Sequence, residues 1–91
     1  MHTGIIRAGD YKGKGVAFKG TTLLIPLKVV WTIKDGENCI VINKQNVASY
    51  TLVDKTLDNK QYTVELNWQD GKRSLLECDK YIYDEIMKIM F

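Results

Sequence analysis

Apolar and polar residues alternate through most of the chain, which is the spacing expected of β-strands with one buried face. The longest alternation runs from residue 23 to residue 33, and Pro26 falls inside it. Because proline cannot donate to a β-ladder, we expect a bend, a break or a sheet edge at Pro26. The Asp-Gly pairs along the chain favour hairpin turns. Further strands are predicted over residues 39–42, 47–53, 62–68 and 73–77.

The apolar period changes from strand-like to helical near the end of the sequence. Asp79 is suited to cap a helix, because its carboxylate can accept hydrogen bonds from first-turn N–H groups. Lys80, Asp84 and Lys88 are spaced by four and form one polar stripe. Apolar residues fill most of the remaining helix surface, so the pattern predicts a helix from Asp79 to Met90 that packs on the sheet.

These elements predict one domain over residues 1–91, of the mainly β, α+β class. We expect a strongly curved antiparallel sheet or partial barrel of six to seven strands, capped by one C-terminal helix. Trp31, Tyr62 and Trp68 form an aromatic stripe in register with aliphatic neighbours. Val30 and Val41 fall on the face opposite this stripe. Either a neighbouring strand of the curved sheet covers them, or they form an exposed patch for a partner or a second copy of the chain. The predicted core is Trp31, Ile33, Tyr62, Val64, Leu66, Trp68, Ile82, Ile86 and Ile89.

Composition and charge exclude several classes of function. The 91 residues are 45% hydrophobic and 26% charged, which favours a folded chain. Thirteen basic against eleven acidic residues give a net charge of +2, too balanced for a dedicated nucleic-acid binder. The single histidine, His2, argues against histidine-based catalysis and metal sites. We therefore expect no enzyme activity, no catalytic residues, no metal, no cofactor and no nucleic-acid partner.

The cysteines and the lengths of the apolar runs indicate the expected cellular compartment of the protein. Cys39 and Cys78 are too far apart in sequence for a CxxC motif, so we expect free, buried thiols. The first residues lack the pattern of a signal peptide, and the longest apolar runs are about a quarter of a membrane span. The expected placement is cytoplasmic, with no membrane span.

A glycine- and lysine-rich segment from Gly9 to Gly15 has some features of a phosphate-binding loop. That motif needs four residues between its glycines and a helix after them. Here three residues separate Gly9 from Gly13, and a strand pattern follows. We favour a flexible hairpin loop that its lysines keep solvated. The alternative is a weak anion, membrane-surface or partner contact through Tyr11, Lys12, Lys14 and Lys19.

The order of these elements resembles a known family. The resemblance is carried by residues 47–50 (Val-Ala-Ser-Tyr), by 68–76 (Trp-Gln-Asp-Gly-Lys-Arg-Ser-Leu-Leu) and by a closing helix that ends at Phe91. Over roughly residues 28–91 the chain is similar to small bacterial and phage proteins of the pleckstrin-homology-like superfold. Lipid-binding members use basic residues in the first hairpin loop; Lys12 and Lys14 lie near that position, without the Lys-x-Arg pattern.

The resemblance implies a binding module, since domains of this superfold generally bind peptides or proteins. The function expected from the sequence is a non-enzymatic protein-interaction module of bacterial or phage origin. A closing helix on a curved sheet leaves an edge groove for an added strand or helix. Two alternatives stay open. One is a small phage-encoded inhibitor of a host defence enzyme. The other is a weak anion or membrane-surface binder that uses the glycine- and lysine-rich segment from Gly9 to Gly15, called the lysine loop below.

Overall fold

The computed structural model describes residues 4–26 and 39–91, which form seven strands and one helix. The predictions made for Val30, Trp31 and Ile33 lie outside the described residues. In chain order the elements are β1 (Gly4–Gly9), β2 (Ala17–Lys19), β3 (Thr22–Pro26), β4 (Cys39–Val41), β5 (Val47–Lys55), β6 (Gln61–Trp68), β7 (Arg73–Asp79) and α1 (Lys80–Met90).

The strands form two antiparallel sheets, where a single curved sheet or partial barrel was expected. One sheet has the order β1-β7-β6-β5 and the other β2-β3-β4, and the described strands do not close into a barrel. The mainly β character and the C-terminal helix are confirmed. The two sheets meet beside β1, where the Val16 N–H donates to the Gly4 carbonyl (2.9 Å) and Ile5 forms an isolated bridge with Gly15. This pairing stops before β2 begins, which divides the strands between two ladders.

The core lies against the inner face of the four-stranded sheet, where β6 and β7 alternate between buried and partly exposed positions. This is the pattern of strands with one face turned to the core. From β3, both Leu23 and Ile25 also enter the core cluster. Most of the predicted core residues in the described ranges are confirmed as buried, and Ile89 is half-buried against them. The buried ones are Tyr62, Val64, Leu66, Trp68, Ile82 and Ile86.

The helix begins and packs as its sequence predicts. The Ile82 N–H donates to the Asp79 carboxylate at 2.9 Å, so Asp79 is the N-cap. Lys80 and Asp84 form an ion pair at 3.1 Å on the solvent side. Ile82 and Ile86, four residues apart, are fully buried against the sheet. The capped helix therefore packs across the inner face of β6 and β7. This position determines which residues of the helix lie beside β5.

Candidate functional site

The outer edge of the four-stranded sheet is β5. It pairs with β6 on one side and with no described strand on the other. Seven of its nine residues are exposed. From Val47 to Val53 the strand has no charged residue and is rich in residues that favour β-structure. An edge of this kind directs backbone N–H and C=O groups outward, where a further strand could pair with them.

Two irregularities divide β5 into segments. The pairing register with β6 shifts between Val47 and Ser49 and again between Leu52 and Asp54. Such bulges bend a strand and increase its twist. The register is regular only from Ser49 to Leu52, so this is the part of the edge best shaped to accept another strand.

The two faces of this regular stretch differ in character. Tyr50 lies opposite Leu66 and therefore on the inner, helix side of the sheet. Leu52, two residues further, lies on the same side. Thr51 lies opposite Glu65, on the outer side. A strand added here would meet apolar side chains on the helix side and polar ones on the other.

Aromatic side chains fill the angle between β5 and α1. Phe91, the C-cap of the helix, packs edge-on against Tyr50 with ring centroids 6.4 Å apart. Tyr83 stacks on Tyr62 with centroids 4.5 Å apart and ring planes within 8°. Burial raises the pKa of Tyr83, and the neighbouring phenols of Tyr50 and Tyr62 raise it further. These four rings pack between the inner side of the sheet and α1.

Exposed apolar surface is concentrated at the same place. Of the five large hydrophobic side chains that are exposed in the described part of the chain, Leu52, Val53 and Leu57 belong to β5 and its hairpin, and Phe91 contacts β5. The fifth, Tyr81, lies on the other flank of α1. Exposed apolar side chains that cluster at one edge, and are not scattered, mark a site of interaction.

The helix has a second concave surface. Its outward side lines a cavity of about 460 Å³ that includes Tyr81, Met87 and Phe91. Tyr81 also packs against Phe18 of β2, with ring centroids 5.6 Å apart. Phe91 therefore contacts Tyr50 of β5 and also borders this cavity, whereas Tyr81 borders the cavity and contacts Phe18 of β2.

Hydrogen bonds fix the conformation of the hairpin turn between β5 and β6. The Thr56 N–H donates to the Gln61 carbonyl at 2.9 Å, which closes the turn. The Asp58 carboxylate accepts hydrogen bonds from the Thr56 hydroxyl and the Lys60 N–H. The Thr56 hydrogen bond, with a smaller contribution from Lys60, lowers the pKa of Asp58. Leu57 is fully exposed at the tip, so this hydrogen-bonded turn holds an apolar side chain in the solvent.

Hydrogen bonds hold the start of the lysine loop to β7. Asp10 is held to β7 from both sides: its N–H donates to the Arg73 carbonyl at 2.8 Å, and its carboxylate accepts from the Arg73 N–H at 3.0 Å. Its carbonyl accepts from the Ser74 hydroxyl at 2.7 Å. Gly9 has φ +80°, and a Cβ there would collide with the Arg73 carbonyl. The close approach of β1 to β7 therefore requires glycine and anchors the start of the loop.

Tyr11 joins this loop to β6 and to the hairpin that follows β6. Its ring packs edge-on against Trp68, with centroids 5.6 Å apart. The Lys72 Nζ lies 5.4 Å from the ring centroid and 3.4 Å from the hydroxyl. The hydrogen bond to Tyr11, then the Tyr11 and Asp70 charges, raise the pKa of Lys72. Sequence reasoning missed Lys72, although its position two residues after Asp70 in a hairpin was a usable signal.

The five predicted site residues that the structure describes lie in three parts of the chain. Tyr11, Lys12 and Lys14 lie together in the β1–β2 loop, with Lys12 exposed and Lys14 half-buried. Lys19 ends β2, with its backbone opposite Thr22. Val41 is half-buried in β4, opposite Leu24. Val30 lies outside the described residues.

The thiols and carboxylates of the described residues make no metal-binding cluster. No three histidine, cysteine, aspartate or glutamate side chains of residues 4–26 and 39–91 come together in that way. The Cys78 thiol is buried as predicted, whereas the Cys39 thiol is only half-buried. Burial, with smaller contributions from Asp79 and Glu77, raises the pKa of Cys78 to about 12.

Comparison with known proteins gives no relative. No protein-family model, no curated protein and no solved structure matches the chain. In the part of the chain that the structure describes, no helix is long and apolar enough to cross a membrane.

Proposed function

We propose that this protein is a non-enzymatic interaction module that binds an extended segment of a protein or peptide partner along the outer edge of β5. The observation that carries the proposal is the coincidence of a strand edge that has no described neighbour, and no charge from Val47 to Val53, with most of the exposed apolar side chains of the described residues. The order of elements, seven strands closed by one helix, supports assignment to the pleckstrin-homology-like superfold. By that resemblance we propose a bacterial or phage origin and a cytoplasmic site of action.

The geometry suggests how a partner strand is held. Its backbone pairs with the outward N–H and C=O groups of Ser49–Leu52, which supplies affinity without selecting a sequence. Alternate side chains of the partner point to the helix side, because a strand has a period of two. Those side chains contact Tyr50, Leu52 and Phe91, so apolar residues at every second position are the expected signature of a partner.

The proposal is tested with peptides selected from a random library on the purified protein. Affinities of the selected peptides are measured by fluorescence anisotropy for the wild type, Leu52→Lys and Phe91→Ala. We expect a loss of about tenfold or more for Leu52→Lys and a several-fold loss for Phe91→Ala, since about 1.4 kcal/mol corresponds to a factor of ten. Leu52 is 38% exposed and Phe91 88% exposed, so both variants should stay folded, which circular dichroism checks.

Tyr81→Ala is the matched control. Tyr81 shares the outer cavity of α1 with Phe91 but packs toward β2, away from β5. Binding at the β5 edge leaves its affinity within about twofold of wild type. Peptides that bind Leu52→Lys and Phe91→Ala as tightly as the wild type would overturn the proposal. A library that yields no enriched peptide would also contradict it.

A further inference from the structure

From Val47 to Val53 the β5 edge carries none of the side chains that keep many exposed edges unpaired. Natural edge strands carry lysine, proline or other charges where a neighbouring chain would pair. Val47–Val53 has none of these, and its charged residues begin only at Asp54. The bulges at its ends shorten the available edge but leave Ser49–Leu52 regular. This short stretch is therefore open to pairing with a strand of similar character.

The same stretch is complementary to itself. An antiparallel pairing of two copies about a twofold axis at Thr51 places Thr51 opposite its counterpart, a pair that favours β-sheets. It places Tyr50 of each copy opposite Leu52 of the other. Tyr50 and Leu52 both lie on the helix side, so their side chains meet on one face. The exposed Phe91, which already contacts Tyr50, then lies beside Leu52 of the second copy.

Charge is compatible with this register. Asp54 of one copy falls opposite Ala48 of the other, and Lys55 falls opposite Val47. Like charges directly opposite each other destabilise a strand pair, and none occurs in this pairing. This register therefore brings no like charges directly opposite each other.

We propose that the strand bound at the β5 edge is β5 of a second copy of this chain. This inference rests on the proposed function, because it names the partner of the same edge. Pairing joins two four-stranded sheets into one continuous sheet, with both helices on the same face. The regular ladder is short, so the dimer dissociates on dilution.

Sedimentation velocity of the full chain over a wide concentration range tests the inference. The mass is expected to rise from 10.4 kDa toward twice that value as concentration increases. Thr51→Lys places two like charges at the twofold axis and should weaken association by about tenfold or more. In the monomer the new lysine lies opposite Glu65, so the fold is not impaired.

Two further samples make the test specific. Thr51→Glu alone should also be monomeric, and because its carboxylate lies opposite Glu65 its fold is checked by circular dichroism. A mixture of Thr51→Lys and Thr51→Glu should associate, because opposite charges then meet at the axis. Thr21→Lys is the matched control, since Thr21 is exposed in the β2–β3 turn of the other sheet. Its association should stay within about twofold of wild type.

Wild-type protein that keeps a mass of 10.4 kDa up to about 1 mM would overturn the inference. Association of Thr51→Lys equal to that of wild type would overturn it as well. In either case, library peptides that still bind wild type and fail on Leu52→Lys would leave the proposed function intact. If the library peptides also fail to bind the wild type, both this inference and the proposed function would be overturned.

Discussion

Phe91 packs edge-on against Tyr50, with ring centroids 6.4 Å apart and ring planes at 86°. The contact joins the C-cap of the helix to the outer strand of the sheet. Phe91 is nonetheless 88% exposed, so most of its ring is available beside the edge of β5 that no described strand covers. An apolar, solvent-facing ring held next to open backbone groups is the arrangement on which the proposed binding site depends.

Docking of the helix on the sheet is tested by Ile86→Ala. Ile86 is fully buried between α1 and the sheet, so its truncation removes apolar contacts and leaves a cavity. We expect the free energy of unfolding to fall by about 2–5 kcal/mol in urea titrations. Lys88→Ala, on the exposed side of the helix, is the control and should change it by less than about 0.5 kcal/mol. A loss for Ile86→Ala as small as that of the control would show that the helix does not pack as described.

A buried hydrogen-bond chain holds the first loop to the core, and Ser74→Ala tests it. The Trp68 Nε1–H donates to the Ser74 hydroxyl at 2.7 Å, and that hydroxyl donates to the Asp10 carbonyl at 2.7 Å. Removing it leaves the indole N–H without its partner, at a cost of about 1–3 kcal/mol. Chemical unfolding followed by tryptophan fluorescence measures this loss. Ser49→Ala, at an exposed position, should have little effect, and equal losses for the two variants would contradict the account.

The lysine loop gives a prediction that separates structure from recognition. Tyr11→Ala removes the ring that packs on Trp68, so we expect a loss of about 1–3 kcal/mol in stability. Lys12→Ser, next to it and exposed, should change stability by less than about 0.5 kcal/mol and leave peptide affinity unchanged at low and high salt. A large, salt-sensitive loss of affinity for Lys12→Ser would place the binding site at this end of the molecule.

Stability at high pH reports the burial of Cys78. Its pKa is raised from 9.0 to about 12 in the fold, mainly by burial, so the folded state favours the neutral thiol. That contribution is fully present below pH 9 and is lost as pH rises through 12. We expect the free energy of unfolding to fall by about 1.4 kcal/mol per pH unit across this window. Cys78→Ala should lack this component of the slope, and identical slopes for the two proteins would refute the assignment.

Much of the sheet and the helix could be predicted because their patterns are local. Strand β6 and the Asp79 cap follow from alternation and from one carboxylate before a helical period. By contrast, β1 has only two apolar residues in succession, Ile5 and Ile6, and becomes a strand by pairing with β7 about seventy residues away. Such long-range pairing has no local signal, which is also why two sheets could not be distinguished from one.

The candidate site was the least predictable part. Lysines drew attention to the β1–β2 loop, but the open edge of β5 depends on which strand lies last in the sheet. The uncharged run from Val47 to Val53 was visible in the sequence, and its lack of edge protection could have been noted. The strand also extends to Lys55, two residues beyond the strand predicted over 47–53, because Asp54 and Lys55 pair with β6.

Amide hydrogen exchange along β5, measured by NMR with and without a selected peptide, tests the central claim most directly. In the peptide-free monomer, at a protein concentration below that of self-association, outward-facing amides of Ser49–Leu52 should exchange rapidly, since no described strand pairs with them. Bound peptide should slow those amides by about tenfold or more, while the amides of the lysine loop keep their rates. Unchanged exchange in β5, with protection appearing instead at residues 10–14, would contradict the account.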